Sequence, residues 1–210
     1  MLHKLGKLPH RCIVALSGGS DSIAVIDFLL NHGKRDITAA YFNHGTKHGA
    51  EAQEFVKAWC AERNISLILG SSKLPRDIKE SNEEYWRRIR YLFLQKIGKE
   101  YDCDVISAHH LDDVVETYIF SSLHGTAKLI PYRNGRVIRP FLLTKKDALV
   151  DWCKRHELKH IEDASNKDDK YMRNYIRHNI VPAVLHVNPG IHKTLKRKLV
   201  ERQEHDEQWL

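Results

Sequence analysis

The chain has 210 residues, of which 42% are hydrophobic, and it carries a formal net charge of +7. This apolar content is enough for one sizeable core, and the positive balance fits a polyanionic partner. No apolar run is long enough for a membrane span or a secretory signal, which argues against a membrane partner. The four cysteines are far apart and form no C-x-x-C pair, so we expect a cytoplasmic protein without a cysteine-bound cluster.

Short apolar strands alternate with amphipathic helices along most of the chain. The apolar run at 12–16 predicts a buried strand, and the helical spacing at 20–30 predicts the helix that follows it. Further strands are predicted at 37–42, 66–69, 104–108 and 137–138, and further helices at 51–63, 82–99, 112–123 and 145–156, the last with Thr144 as its N-cap. This alternation predicts the α/β fold class, a parallel sheet with helices on both faces.

The pattern changes near residue 157, where a polar loop and then a basic helix follow. We therefore expect a sheet domain at 1–156 and a small helical tail at 157–210. Ligands of such sheets bind beyond the carboxyl ends of the strands, so the loops after the strands are the first place to look for a site.

The loop after the first predicted strand reads S-G-G-S-D-S and covers Ser17, Gly18, Gly19, Ser20, Asp21 and Ser22. Glycines let the backbone approach a ligand closely, and the first N–H groups of the next helix attract anions. The Walker and G-x-G-x-x-G patterns are absent. An ordinary loop is the alternative, but this position between strand and helix favours a phosphate site. Beside an anion, the carboxylate of Asp21 suits a bound cation such as Mg²⁺.

This loop resembles the pyrophosphate-binding loop of the ATP pyrophosphatases, which cleave ATP between the α- and β-phosphates. That group includes guanylate synthetases, NAD synthetases, tRNA thiolation enzymes and tRNA(Ile)-lysidine synthetases. The resemblance implies an adenine nucleotide alpha hydrolase-like, Rossmann-like fold, catalysis in the 1–156 domain and ATP binding by residues 17–22. The loop alone does not distinguish these families.

Two further motifs favour the lysidine synthetases. Asn43-His44-Gly45 follows the second predicted strand and is similar to their Asn-His-Gly, which implies that His44 lies beside the nucleotide; a plain turn is the alternative. In A-H-H-L-D-D-V-V-E-T, Asp113 and Glu116 are three residues apart and share one helical face, where they suit an amine or a magnesium ion. A solvated first turn is the alternative, and the resemblance implies that these two acids hold the substrate lysine.

Three motifs that contain arginine complete the resemblance. R-R-I-R-Y within the long helix is similar to the family's R-x-x-R-Y, and of its arginines we favour Arg90 at the reacting centre. I-R-P-F-L at 138–142 and the later motif E-D-A-S-N…R-N-Y-I-R-H are also similar. A solvated basic helix or a plain strand end is the alternative at each place. For RNA contact we select Asn166, Arg173 and Arg177, with Lys196, Arg197 and Lys198 in the basic tail.

The resemblance implies a complete reaction. ATP adenylates the wobble cytidine of tRNA(Ile) with a CAU anticodon, free lysine then attacks the same ring carbon, and lysidine, AMP and diphosphate result. Mg²⁺ would offset the phosphate charge. Two alternatives stay open: a related thiolation enzyme, which the lack of C-x-x-C disfavours, and a nucleotide- or RNA-binding module without turnover. The sequence leaves open whether the chain forms a homodimer.

Overall fold

The computed structural model describes residues 2–71, 74–162 and 168–207. Its strands are β1 (Arg11–Ala15), β2 (Asp36–Asn43), β3 (Ser66–Ser71), β4 (Asp104–Ile106), β5 (Arg133–Asn134) and β6 (Val137–Ile138). Its α-helices are α1 (Ser20–Asn31), α2 (Lys47–Ala61), α3 (Asn82–Glu100), α4 (Leu111–Leu123), α5 (Lys146–Arg155), α6 (Met172–Tyr175), α7 (Val181–Val187) and α8 (Ile191–Glu207), with a π-helical turn at Ile176–Ile180 between α6 and α7.

The strands form one sheet in the order β3-β2-β1-β4-β6-β5. The β1–β2, β1–β4, β2–β3 and β4–β6 pairs are all parallel, which confirms the predicted α/β fold. β5 is the exception, because it pairs antiparallel with β6 in a short hairpin. The strand order reverses between β1 and β4, so the loops after these two strands lie at the switch point where ligands of such sheets bind.

Apolar side chains cover both faces of the sheet. On one face α1, α2 and α5 pack around buried residues such as Val14, Ile26 and Trp59. On the other face α3 contributes Leu94 and Ile97 against the strands. Burial on both faces explains why the strands read as apolar runs rather than as alternating patterns.

A third apolar cluster joins the tail to the sheet domain. Leu111 and Val115 of α4 pack there with Ile191, Leu195 and Leu199 of α8, all of which are buried. The division at residue 156 stays a prediction, and this packing ties the two parts together. No helix in the described part of the chain is long and apolar enough to cross a membrane.

Two helix starts differ from expectation, each for a local reason. α2 begins at Lys47 rather than at residue 51, because the Thr46 side chain accepts from Gly49 N and caps the helix. Thr144 does not cap α5, since Lys145 holds that position without a side-chain bond. The Thr144 hydroxyl instead donates to His3 O at 2.6 Å and accepts from His3 N at 2.8 Å, which anchors the N-terminal segment.

Candidate functional site

The loop after β1 is folded on itself by its two serines. Ser22 Oγ donates to Gly19 O at 3.0 Å and accepts from Ser17 N at 3.1 Å, and the two hydroxyls lie 3.0 Å apart. These bonds hold the turn that leads from β1 into α1 before any ligand arrives. The first N–H groups of α1 remain at the mouth of this turn, where the positive end of the helix dipole favours an anion.

The two glycines of the loop have different roles. Gly18 has φ +87°, a conformation that L side chains rarely adopt, and a Cβ there would meet Ile161 Cδ1 at 3.0 Å. Gly19 has an ordinary φ of −76° as the N-cap of α1, and a Cβ there would meet nothing closer than Ser17 Oγ at 3.6 Å. The fold therefore requires a glycine at position 18. At position 19 the fold would accept a side chain, which would fill the open side of the loop.

Ile161 brings the start of the tail against this loop. Its backbone N–H donates to Gly18 O at 2.9 Å, and its side chain packs on the same glycine. The described residues break off after Glu162 and resume at Asp168, so Asn166, which we selected for RNA contact, lies outside them.

Asp21 is held between two cations. His110 Nε2 lies 3.5 Å and Lys146 Nζ 3.3 Å from its Oδ2. Burial would raise the pKa of Asp21, but the His110 and Lys146 contacts outweigh it and lower the pKa to about 2. Burial would likewise lower the pKa of His110, but Asp113 and Asp21 raise it to about 9. A protonated imidazole therefore bridges the phosphate loop and the start of α4.

This bridge makes the stability of the protein depend on pH. The pKa of His110 is raised from its ordinary 6.5 to about 9, so its contribution is fully present below pH 6.5 and is lost as the pH rises through about 9. The charged groups around it are Asp21, Asp112, Asp113 and Lys146. We expect the urea midpoint, measured without magnesium, to fall from pH 6.5 to 9.5 more steeply in the wild type than in His110→Asn, which keeps an N-cap residue. Parallel pH profiles would contradict this expectation.

Asp113 and Glu116 share the first turns of α4, as their spacing predicts. His110 is the N-cap of α4, and Asp113 Oδ2 accepts from His110 N at 2.9 Å, which is the return bond of a capping box. Glu116 is buried and accepts a two-pronged pair from Arg177, at 2.6 Å from Nε and 2.9 Å from Nη2. Burial raises the pKa of Glu116 despite this pair. Arg177 Nη2 also lies 3.9 Å from Asp113 Oδ1, so one guanidinium serves both carboxylates.

Arg90 reaches the same edge of the sheet from α3. It lies close enough to Asp113 and to His44 for their charges to interact. Burial first and then Arg90 lower the pKa of His44 to about 4, so this histidine is neutral at physiological pH. The Nδ1 of His44 is buried without a hydrogen-bond partner, and its ring lies 6.0 Å from that of Trp86. An unpaired polar atom beside an aromatic ring suits a nucleotide base, but the roles of His44 and Arg90 stay predictions.

The residues selected for RNA contact are distributed over two surfaces. Arg173 is paired with Glu83 at 2.7 Å, and Arg177 with Glu116, so neither guanidinium is free in this state. On α8, Lys196 is half-buried, Arg197 lies 3.6 Å from Glu201, and Lys198 is exposed. The structure thus brings the two arginines to the sheet edge and leaves the α8 cations on the outer face of a packed helix.

The sequence analysis did not select three residues that the structure places in the site. His110 and Lys146 enclose Asp21, and His109 bonds Ser107 Oγ through Nδ1 at 2.9 Å. The adjacent histidines of the H-H-L-D-D motif were a visible signal for two of them. Lys146 carries no local signal, because it reaches Asp21 across 125 residues of sequence.

Asp21 is the residue of this site that we expect to hold a magnesium ion. Among residues 2–71, 74–162 and 168–207, no group of three or more His, Cys, Asp or Glu side chains could hold a metal. Asp21 Oδ2 already faces two cations, whereas Oδ1 accepts only a long bond of 3.5 Å from Ser20 Oγ. One free carboxylate oxygen beside a phosphate loop matches the way magnesium is usually held, by few protein ligands and by substrate phosphates.

The fold and the loop together define a class: an α/β protein that binds a nucleotide phosphate group at the switch point of a parallel sheet. The model of a family described as PP-loop domain matches residues 2–184. The chain belongs to the PP-loop domain family, and this membership implies ATP as its nucleotide.

Curated relatives narrow the resemblance. The chain is 34% identical over 194 residues to a tRNA(Ile)-lysidine synthase of Pseudothermotoga lettingae, and the aligned part covers 87% of this chain and 43% of the relative. It is 32% identical over 197 residues to the tRNA(Ile)-lysidine synthase of Thermotoga maritima, and here the aligned part covers 88% of this chain and 48% of the relative. A bifunctional protein TilS/HprT of Listeria monocytogenes is 30% identical over 218 residues, with 96% and 34% covered. The similarity to lysidine synthetases is thereby confirmed, and the chain spans less than half the length of these relatives.

Solved structures agree on the fold. A U34-tRNA thiolase, NcsA, from Methanococcus maripaludis superimposes with a TM-score of 0.74 at 18% identity and covers 95% of this chain and 73% of its own. An NH3-dependent NAD synthetase from Campylobacter jejuni superimposes with a TM-score of 0.53 at 14% identity, and the match covers 93% of this chain and 86% of the synthetase. At these identities the likeness concerns architecture alone.

Proposed function

We propose that the chain ligates lysine to the wobble cytidine of tRNA(Ile) with a CAU anticodon, using ATP and Mg²⁺. ATP transfers its adenylyl group to the base carbonyl oxygen and releases diphosphate. The ε-amine of free lysine then attacks the same ring carbon, and AMP leaves with that oxygen. The observation that carries the proposal is the position of the carboxylates Asp113 and Glu116 beside the phosphate loop. His110 contacts both Asp113 and Asp21 of that loop, and the family is implied to use ATP.

Each half of the proposed reaction has its own group of residues. The loop at 17–22 would bind the phosphates through its backbone N–H groups, and Asp21 would hold magnesium, which offsets their charge. Asp113 and Glu116 would bind the lysine ammonium by charge-assisted hydrogen bonds. Because Arg177 already bonds both oxygens of Glu116, a bound ammonium would share this carboxylate with the guanidinium or replace it. Arg90 would lie beside the base that reacts.

The thiolation alternative is disfavoured by the cysteines themselves. Cys12, Cys60, Cys103 and Cys153 are all buried. Burial raises the pKa of Cys12 to about 12 and those of Cys60 and Cys153 to about 11, and it also raises the pKa of Cys103. A persulfide carrier needs an accessible thiol that ionises easily, which is the opposite environment.

Mass spectrometry of nucleosides tests the proposal directly. The protein is incubated with tRNA(Ile) transcript, ATP, magnesium and isotope-labelled lysine, and the RNA is then digested. We expect lysidine that carries the label. A thiolated cytidine would establish the rival reaction, and unmodified cytidine from a protein that still binds ATP and RNA would identify a binding module.

We further propose that the basic tail contributes to tRNA binding through Lys196, Arg197 and Lys198, together with Arg173, Arg177 and Asn166. Phosphate contacts release counterions, so log K should fall with log salt by about 0.9 per phosphate on a duplex stem. Replacing the three α8 cations with alanine should flatten this slope by up to about three units and leave ATP affinity unchanged.

The matched control is a triple alanine variant of Lys154, Arg155 and Lys159, which removes three exposed cations at the end of α5. Filter binding across a salt series compares the two. Equal slopes for both variants would mean that α8 does not contact the RNA. Homodimer formation also stays a prediction, which the elution volume in gel filtration would check.

A further inference from the structure

Three arginines converge on one aromatic ring near the carboxyl edge of the sheet. The guanidinium carbons of Arg87, Arg90 and Arg139 lie 5.2, 5.9 and 5.7 Å from the centroid of the Tyr91 ring. Two of them come from the same helix, α3, as the ring, and Arg139 follows β6. The π face of the ring partly offsets this concentration of positive charge and does not neutralise it.

These three cations form no close ion pair within the described part of the chain, and the charges of Glu83 and Asp113 act on Arg87 and Arg90 only from a greater distance. None of them lies within 4.0 Å of a described carboxylate, whereas their neighbours are paired: Arg88 with Glu80 at 2.8 Å and Arg173 with Glu83 at 2.7 Å. Burying or crowding unpaired charges is costly, so an unpaired cluster at a site suggests an anionic ligand.

Arg139 makes the argument stronger, because it is almost fully enclosed. Its exposed fraction is 2%, and it donates from Nη1 to Pro131 O at 2.7 Å and from Nη2 to Tyr91 Oη at 2.9 Å. Its Nε is buried without a hydrogen-bond partner. A guanidinium fixed in this way by neutral oxygens keeps its full positive charge for a further partner.

The arginine cluster lies beside the proposed reacting centre, on different elements from the phosphate loop. Its charges reach His109, whose pKa is lowered to about 3 by burial first and then by Arg139, Arg90 and Arg87, against the opposing effect of Asp113. The phosphate loop opens α1, which packs on the opposite face of the sheet from α3. The arginines therefore approach the site from the α3 side.

We propose that Arg87, Arg90 and Arg139 form a second phosphate site, separate from the loop at 17–22. Its ligand is a phosphate oxyanion, carried either by the RNA backbone next to the target nucleotide or by ATP. This inference rests on the proposed function, which supplies both phosphates. Tyr91 is the positioning residue of the site, since its ring and its hydroxyl hold the three guanidinium groups together.

The test replaces one exposed member of the cluster and uses its neighbour as control. Arg87→Gln removes an unpaired cation, and Arg88→Gln removes the same charge one residue away, where Glu80 already satisfies it. Each variant is titrated with an anticodon stem-loop RNA across a salt series and, separately, with a non-hydrolysable ATP analogue. Tyr91→Phe, which keeps the ring and loses the bond to Arg139, is measured in the same way.

We expect Arg87→Gln to lose about tenfold in affinity for one of the two ligands, relative to Arg88→Gln. A loss for the RNA, with a salt slope reduced by about 0.7–0.9, assigns the site to a backbone phosphate. A loss for the ATP analogue alone assigns it to the nucleotide. If Arg87→Gln and Tyr91→Phe match Arg88→Gln in both titrations, the proposal is overturned. Neither titration requires turnover, so a failure to form lysidine would leave this result interpretable.

Discussion

Replacing Glu116 with glutamine is expected to lower the free energy of unfolding by about 2–3 kcal/mol. Glu116 is buried, and its two oxygens are the nearest anionic partners of Arg177, at 2.6 and 2.9 Å. Removing one member of a buried pair leaves the other charge uncompensated, which costs about 3–5 kcal/mol when both are enclosed. We reduce this figure because the Arg177 side chain keeps 32% of its exposure. Urea denaturation followed by circular dichroism measures the change.

A matched arginine–glutamate pair serves as the control. Glu83 and Arg173 lie 2.7 Å apart, but both side chains are substantially exposed, so Glu83→Gln should cost less than about 1 kcal/mol. The double variant Glu116→Gln with Arg177→Gln should recover part of the loss, because it removes the uncompensated charge. Equal losses for the two glutamate variants, or strict additivity in the double variant, would show that the buried pair contributes no more than a surface pair.

The contact between Glu116 and Arg177 also shows what could not be predicted from the sequence. Asp113 and Glu116 were placed on one helical face by their spacing of three, and the structure has them there. Their partner Arg177 lies 61 residues beyond Glu116 and is positioned by the packing of the π-helical turn against α4, which no local pattern contains. Long-range ion pairs of this kind depend on tertiary geometry, so the motif could indicate two acids but not the arginine that pairs with them.

The strands of the fold could be predicted from the sequence more completely than the site, for a physical reason. Strands buried on both faces need continuous apolar runs, and the runs at 12–16 and 37–42 correspond to β1 and β2 within one residue. β5 has two residues, both polar, and no periodicity to detect. Its Arg133 pairs with Asp104 at 2.6 and 2.8 Å. Elements that short are defined by their partners rather than by their own sequence.

Charge divides the site into two regions that suit different ligands. Around Asp21 and Glu116 every described charge has an opposite partner, from His110, Lys146 or Arg177. A ligand that binds there exchanges one ion pair for another. Around Tyr91 the arginines form no close ion pair with any described carboxylate, so a phosphate would add pairing without displacing a partner that the structure describes. This difference is the reason that cations are proposed for the carboxylates of the first region, magnesium at Asp21 and the lysine ammonium at Glu116, and an oxyanion for the arginines of the second.

Gly19→Val is expected to weaken binding of a non-hydrolysable ATP analogue by about a hundredfold or more while leaving the fold intact. The backbone of Gly19 has φ −76° and ψ 161°, which valine adopts readily, and its Cβ would meet no atom closer than 3.6 Å. The added branch would instead fill the open side of the loop, where phosphate oxygens must reach the N–H groups of α1. Losing about two hydrogen bonds to a charged oxygen, at about 1.5–3 kcal/mol each, gives this magnitude.

Two controls separate ligand exclusion from damage to the fold. Gly190→Val alters a glycine that precedes α8 as Gly19 precedes α1, and it should leave ATP affinity unchanged. Gly18→Ala forces a side chain into φ +87° and against Ile161, so it should cost about 1–2 kcal/mol of stability, whereas Gly19→Val should cost less than about 1 kcal/mol. Isothermal titration and urea denaturation on the same preparations give both quantities. Wild-type affinity in a folded Gly19→Val protein would mean that the phosphates bind elsewhere, with the arginines around Tyr91 as the remaining cationic site at this edge of the described structure.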